Sequence, residues 1–259
     1  MASLNPIQQP SDPTQRFSDR VENYARYRPT YPPSILHYLR ETIHLARRHQ
    51  VADIGSGTGI FTELFLRGGF PVTGVEPNDQ MRAAAEASLG HYPRFTSVKG
   101  TGEATTLPDQ SVDLITVAQA FHWLDPGAAR KEFTRILRPG GHILLVWNVR
   151  VTDTPFLEAL EIFKREFGHQ YEAIRERHAE LGSVQAFFAP APCTSKIFRH
   201  SQILDYEGLK GQTLSSSYMP LEGQPGFDEM IEALQALFRK YQEHGQVDME
   251  YETKLFLDA

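Results

Sequence analysis

The stretch VADIGSGTG, residues 51–59, decides the fold. Val51–Ile54 reads as a short apolar strand that carries Asp53 near its end. Gly55, Ser56, Gly57, Thr58 and Gly59 then turn the chain directly into an amphipathic helix over Ile60–Arg67, which Gly68 and Gly69 stop. Glycine is needed where the backbone takes a positive φ or must lie against a ligand. Glycine-rich turns also occur in ordinary structure, so the meaning of this one depends on its surroundings. Placed between a strand and a helix at the carboxyl edge of a parallel sheet, it sits where doubly wound folds bind nucleotide-like ligands.

Outward from the turn, strands and helices alternate. A second strand, Val72–Val75, ends in Glu76 and Pro77; Asn78 caps a helix over residues 79–89 that Gly90 closes, and a weaker strand follows at Phe95–Val98. Val112–Ala118 reads as a buried strand. Asp125 with Pro126 starts a helix running to Leu137, Arg138-Pro-Gly-Gly ends it, and residues 142–147 form another apolar strand. Upstream, Ser34 caps a helix over residues 35–46. Each parallel crossover needs a covering helix, so the alternation predicts an α/β, doubly wound, Rossmann-like sheet with helices on both faces. Beyond Asn148 the character changes: helical patterns over residues 156–167, 171–180 and 227–244, a strand over 196–204, and a final strand-like alternation over 247–257.

Length and composition bound the function. With 259 residues and 41% hydrophobic content the chain buries one substantial core, which predicts one domain. A net charge of -6 gives no general pull toward phosphates or anionic lipid, so neither nucleic acid nor membrane is an expected partner. The basic runs at Arg47-Arg48 and Arg175 to Arg177 read as solvated helix faces. The single cysteine, Cys193, makes no internal disulfide and lacks partners for a metal site, which fits a cytoplasmic protein without a metal. Residues 1–15 are polar and proline-rich, unlike a secretory signal, and read as a flexible arm. No apolar run reaches the ~18 to 20 residues of a membrane span.

Glu76 lies about 20 residues beyond the glycines, where an acid can accept both hydroxyls of an adenosine ribose. Hydrogen bonds to a charged acceptor are worth ~1.5 to 3 kcal/mol each. The bland reading of Glu76 is an exposed acid in a turn. Both elements would also suit a nicotinamide dehydrogenase, so the cofactor rests on two further features. The turn is G-x-G-x-G, whereas a dinucleotide site has its third glycine one step later, with a pyrophosphate on the helix amides. Asp53 would repel that pyrophosphate but suits the sulfonium and ammonium of S-adenosylmethionine (SAM).

The ordered set VADIGSGTG, GVEPN, GTGEATTLPDQSVDLITVAQAFHWLD and ILRPGGHILLVWN resembles the class I SAM-dependent methyltransferases, in particular the small-molecule branch often labelled type 11. The likeness is close over residues 17–148. AQAFHW, LSSSYMP and the YETKLF ending are similar to a subgroup of trans-aconitate methyltransferase-like proteins. The resemblance implies a seven-stranded sheet ending in an antiparallel strand, supplied by residues 247–257. It implies that an N-terminal arm, residues 1–33, closes over the cofactor site of a methyltransferase domain spanning 34–259, and that 150–225 contains a helical substrate cap. Asp53, Gly55, Ser56, Gly57 and Gly59 would hold the methionine part of SAM, Glu76 and Pro77 the ribose, Glu103 and Ala104 the adenine, with Ala118 and Gln119 below the cofactor. The product would be S-adenosylhomocysteine and the partner a small-molecule acceptor, in a monomer or homodimer.

Methyl transfer is an in-line displacement for which the protein mainly positions the partners and excludes water. Aromatic faces hold a cation by ~0.5 to 2 kcal/mol; Tyr24, Trp123 and Trp147 are candidates, each equally readable as packing. His122, after the fourth strand, is either a base for a hydroxyl or acidic carbon acceptor, or a structural histidine. A carboxylate acceptor needs no base. Arg28, in YARYRPTYPP, either binds the cofactor or an acidic substrate, by pairing with the SAM carboxylate or with the substrate's, or anchors the arm. Tyr218 is a substrate-pocket candidate through the resemblance. The expected activity is methylation of a small molecule, preferably on a carboxylate or hydroxyl oxygen. The alternatives are an NAD-dependent oxidoreductase and a non-catalytic SAM-binding module, since a fold alone does not establish activity.

Overall fold

The strand order β3-β2-β1-β4-β5-β7-β6 defines a single sheet in the computed structural model, which describes residues 20–169, 171 and 181–258. The expected arm of residues 1–15, Arg175 to Arg177 and, apart from Tyr171, the expected helix over 171–180 lie outside the described residues. The strands are β1 (Val51–Ile54), β2 (Val72–Val75), β3 (Phe95–Val98), β4 (Val112–Ala118), β5 (Leu137–Arg150), β6 (Cys193–Leu204) and β7 (Val247–Asp258). β1 runs parallel to β2 and β4, β2 to β3, and β4 to β5. β7 inserts antiparallel between β5 and β6, as the sequence comparison implied. The strand order reverses at β1, so the glycine turn after β1 opens into the crevice between the β1 and β4 ends.

The helices are α1 (Val21–Tyr27), α2 (Ser34–Thr42), α3 (Ile60–Arg67), α4 (Asp79–Leu89), α5 (Pro126–Ile136), α6 (Pro155–Phe167), α7 (Leu181–Phe188), α8 (Tyr206–Leu214) and α9 (Phe227–Tyr241). Two apolar clusters cover the two faces of the sheet. One joins Ile54, Ile115 and Leu145 to Phe133 of α5 and Phe188 of α7; the other joins Val51, Leu114 and Leu144 to Ile35, Leu39 and Phe65. A third cluster packs α6, α8 and α9 around Met249 and Tyr251 at the far end of β7. The caps read from sequence form: Asn78 Oδ1 accepts from the Gln80 and Met81 amides, and Asp125 Oδ1 from the Ala128 amide.

The structure departs from the sequence reading at several elements, each for a local reason. α2 stops at Thr42 rather than running to Ala46, because His44 takes a φ of 52°, and Ser34 lies inside its first turn rather than capping it. Arg138-Pro-Gly-Gly does not merely end a helix; it forms the irregular start of β5, where the register with β4 shifts between Val112 and Leu114. α7 and α8 were not expected. α8 contains two glycines that read as breakers, yet Gly211 is required because the Tyr27 ring occupies the place a Cβ would take. That contact docks α1 onto α8.

Arg20 locks the same junction. Its guanidinium is 5% exposed and donates to the carbonyls of Leu214 and Ser216 at 2.7 Å and of Met219 at 2.6 Å. The strap after α1 is held on the other side by the sheet, where Thr30 O accepts from Asn148 Nδ2 at 3.1 Å and lies 3.1 Å from His200 Nε2.

Gly59 divides from the other glycines of the turn. Its φ is 87°, and a Cβ there would strike the Leu89 side chain of α4, so this residue lets α3 and α4 approach. A left-handed Cβ costs ~1 to 2 kcal/mol and overpacking ~1 to 3 kcal/mol. Gly59→Ala is therefore expected to lower unfolding free energy by about 2 to 4 kcal/mol, whereas Gly57→Ala, whose Cβ would meet nothing within 4 Å, is expected to cost only the backbone part. Urea denaturation of the two variants checks the difference.

Candidate active site

A cavity of about 1090 Å³ opens over the carboxyl ends of β1, β2, β4 and β5 and runs under α1 and α6. Its floor is set by Glu76. This side chain is 8% exposed, and its two carboxylate oxygens accept from the backbone amides of Gly57 and Asn78, each at 2.9 Å. The carboxylate thus ties the turn after β1 to the turn after β2. Burial raises its proton affinity above the ordinary glutamate range, while the two amides and Arg82 oppose that rise.

Asp53 lies deeper, 1% exposed, with Thr62 Oγ1 donating at 2.6 Å and Thr116 Oγ1 at 2.8 Å. Burial pushes its pKa up to about 6, opposed by the two hydroxyls and aided by the charge of Glu76. Gly55 and Gly57 take φ values of 66° and 56°; a Cβ on Gly55 would lie 2.6 Å from that of Ala120, while Gly57 leaves open space at the cavity wall.

The structure brings most of the sequence candidates to this cavity. Tyr24, Arg28, Asp53, Gly55, Ser56, Gly57, Glu76, Pro77, Glu103, Ala118, Gln119, His122, Trp123 and Tyr218 all line it. Gly59 and Ala104 do not. Gly59 serves helix packing, and Ala104 closes a turn by exchanging backbone hydrogen bonds with Thr101. Gln119 holds a φ of 58°, fixed by its amide donating to Val146 O and its Nε2 donating to Asn148 O, each at 2.9 Å. His122 and Trp123 form a short 3-10 turn with ring centroids 4.7 Å apart, and the Arg28 guanidinium lies 4.8 Å from the Tyr24 ring centre.

The sequence reading missed the opposite wall. Arg150, at the end of β5, lies 3.4 Å from Glu161 and donates to the Tyr171 hydroxyl at 3.2 Å; Tyr171 in turn donates to Glu161 at 2.7 Å. Lys164 of α6 lines the same wall and is 3% exposed. Burial, then the charges of Arg150 and Arg28, push its amine well below the usual lysine range. The signal for Lys164 was present as a lysine set into the apolar stripe of Phe156, Leu157, Leu160 and Phe163. Arg150 carried the signal of an ionisable residue at a strand's carboxyl end.

The cavity is therefore electrically divided. Asp53 and Glu76 stand at the β1 and β2 ends, with Glu103 accepting from the Asp125 amide at the start of α5, and Arg28, Arg150 and Lys164 stand toward β5 and α6, where Glu161 is the acid among the described residues. β4 separates β1 from β5, so the strands that bear Asp53 and Arg150 run about 10 Å apart. The volume, the open space at Gly57 and the buried acids fit SAM, whose sulfonium and ammonium need counter-charge. Four buried side-chain atoms on this cavity, Thr58 Oγ1, Trp147 Nε1, Arg28 Nε and Arg150 Nε, have no hydrogen-bond partner among the described residues. An unsatisfied buried polar group costs ~1 to 3 kcal/mol, so such atoms mark surface built to meet a ligand.

No helix among the described residues is long and apolar enough to cross a membrane, and no cluster of metal-ligating side chains occurs among them.

Asp53 makes apo stability pH-dependent. Its folded pKa exceeds the unfolded value of 3.8, so the folded state binds the extra proton, and stability falls as pH rises from about 4 through about 6. The expected loss is about 3 kcal/mol. Denaturation at several pH values should show that slope in the wild type and its absence in Asp53→Asn; parallel curves would contradict it.

Comparison with known proteins agrees with the geometry. Residues 52–145 match the methyltransferase domain family model. The chain is 40% identical over 139 residues to the uncharacterized methyltransferase Rv3342 of Mycobacterium tuberculosis, a match covering 54% of each chain, so it spans about half the length of that relative. It is 27% identical over 248 residues, 93% of each chain, to the uncharacterized methyltransferase-like C25B8.10 of Schizosaccharomyces pombe. Among solved structures it resembles phosphoethanolamine N-methyltransferase 2 of Haemonchus contortus, determined with phosphomonomethylethanolamine and S-adenosylhomocysteine, at a TM-score of 0.55 and 14% identity over 96% of this chain and 58% of that one. That likeness concerns the fold. The family model and the sheet order agree: residues 52–145 carry a methyltransferase domain.

Proposed function

We propose that this chain transfers the methyl group of SAM to a carboxylate oxygen of a small acidic molecule. The division of the cavity into an acidic and a basic side carries the proposal: the acidic side suits a cationic donor, and the basic side suits an anionic acceptor. The finer resemblance to trans-aconitate methyltransferase-like proteins, named for an acid, supports the same class.

In this proposal Asp53, Gly55, Ser56 and Gly57 meet the methionine part of SAM. Glu76 accepts from the ribose hydroxyls with the lone pairs that its two amide bonds leave, and Glu103, with Gly102 behind it, borders the adenine. Ala118 and Gln119 support the cofactor from the end of β4. Tyr24 and Trp123 offer aromatic faces to the sulfonium. Gly59 and Ala104 act indirectly, through helix packing and turn shape. The strap formed by residues 20–33 covers the site, and 150–225 supplies the acceptor wall, with β6 as its extension into the sheet.

Bound SAM supplies an electrophilic methyl group whose leaving thioether is neutral. An acceptor carboxylate oxygen uses a lone pair to form the new O–C bond as the S–C bond breaks and its pair passes to sulfur. The acceptor loses its negative charge, and no proton moves. The protein's work is alignment and exclusion of water. A hydroxyl acceptor would need a base, for which His122 stands on the wall.

Glu76→Ala and Asp53→Ala are each expected to weaken SAM binding tenfold or more, at least ~1.4 kcal/mol, in calorimetric titration; unchanged affinity in folded variants would contradict the cofactor placement. Incubation with methyl-labelled SAM and a panel of small carboxylic, hydroxylic and amine acceptors tests the reaction. The expected product is a base-labile methyl ester formed from acids only. Label on hydroxyl or nitrogen compounds would overturn the carboxylate reading, and SAM binding without any transfer would leave a non-catalytic module.

A further inference from the structure

We propose that Lys164 selects for an acidic acceptor by gaining a proton as the acceptor's anionic group binds against it. This rests on the methyltransferase reading and concerns the acceptor wall of the same cavity.

The observation is a lysine in the wrong solvent. On α6, Phe156, Leu157, Leu160 and Phe163 are buried in the cluster that α6 shares with α8 and α9, and Lys164 follows on the same stripe with only 3% of its surface exposed. A lysine amine is almost never buried so fully without a partner charge. Its surroundings are cationic on two sides: the charges of Arg150 at the end of β5 and of Arg28 in the strap act on it, opposed by Glu161 one turn back on α6. Tyr171, Tyr218 and Tyr251 complete the polar lining, and Lys254 of β7 stands further round the cavity.

Among the described residues, Glu161 is the acid on this wall, and it is already engaged. It accepts from the Tyr171 hydroxyl at 2.7 Å and lies 3.4 Å from Arg150 and 3.6 Å from Arg165. Among the described residues whose charge bears on Lys164, one carboxylate, Glu161, stands against Arg28 and Arg150, an excess of positive charge before Lys164 is counted. The guanidinium groups cannot lose a proton, so the amine is the group that relieves the repulsion, consistent with its depressed proton affinity. An incoming carboxylate reverses the balance. It meets the unpartnered Nε atoms of Arg28 and Arg150, and a proton from solvent joins Lys164, so anion and proton enter together. A neutral analogue brings no charge to hold that proton and is rejected, because specificity follows from leaving buried charge unpaired.

A neutral buried amine facing an active site has a competing use as a general base for a hydroxyl acceptor. The two roles separate experimentally. Protein saturated with S-adenosylhomocysteine is titrated near pH 8 with succinate, glutarate and the neutral glutaramide in two buffers of different ionisation enthalpy. The expected result is uptake of about one proton per dicarboxylate bound, no binding of glutaramide, and, in Lys164→Met, loss of that uptake with affinity reduced about tenfold or more. In turnover of any acid the methylation panel identifies, the variant should raise KM with kcat little changed.

Acid binding with no proton uptake, or unchanged in Lys164→Met, would overturn the role of Lys164 while leaving the carboxylate proposal standing. Failure of every acid to bind or to be methylated would overturn the carboxylate proposal itself. A fall in kcat at constant KM with a hydroxyl substrate would make Lys164 a base. Should Lys164→Met not fold, the proton count on the wild-type protein decides.

Discussion

The site depends on one carboxylate. Glu76 accepts from the amides of Gly57 and Asn78, and in doing so joins the loops that follow β1 and β2. Without it, two backbone N–H groups near a buried cavity would need other partners, and an orphaned buried amide costs as much as a lost hydrogen bond. The positive φ at Gly57 gives its amide this direction. The glycines and the acid, about 20 residues apart in sequence, are therefore one device: the turn presents donors inward to the acid and leaves the cavity face bare.

The electrical asymmetry of the cavity follows from the strand order. Residues at the ends of β1 and β2 are acidic, and the residue at the end of β5 is an arginine. Because β4 lies between β1 and β5, the charges face one space without neutralising each other at contact distance. The price of holding so many ionisable groups away from water shows in their proton affinities, raised for Asp53 and Glu76 and depressed for Lys164.

Much of the fold is readable along the chain. From residue 51 to 148, apolar runs, caps and glycine stops alternate, and local chemistry suffices: Asn78 and Asp125 cap the helices they precede. Beyond Asn148 the reading thins. α8 carries Gly208 and Gly211, which local propensity reads as breaks; the helix forms because Tyr27 packs where a larger residue could not. Arg20, the anchor of that junction, bonds to carbonyls nearly 200 positions away, a distance over which no pattern in sequence operates.

The sequence by itself determined the parallel sheet, the glycine turn and the acids Asp53 and Glu76, because each rests on neighbours within one strand–turn–helix unit whose periodicity and caps are local. Tertiary structure decided the basic side of the cavity. Arg28, Arg150 and Lys164 belong to a strap, a strand end and a helix, and nothing in their spacing says that they share a wall. They meet only because β7 inserts beside β5 and α1 docks on α8, long-range packing that brings three basic side chains into one buried space.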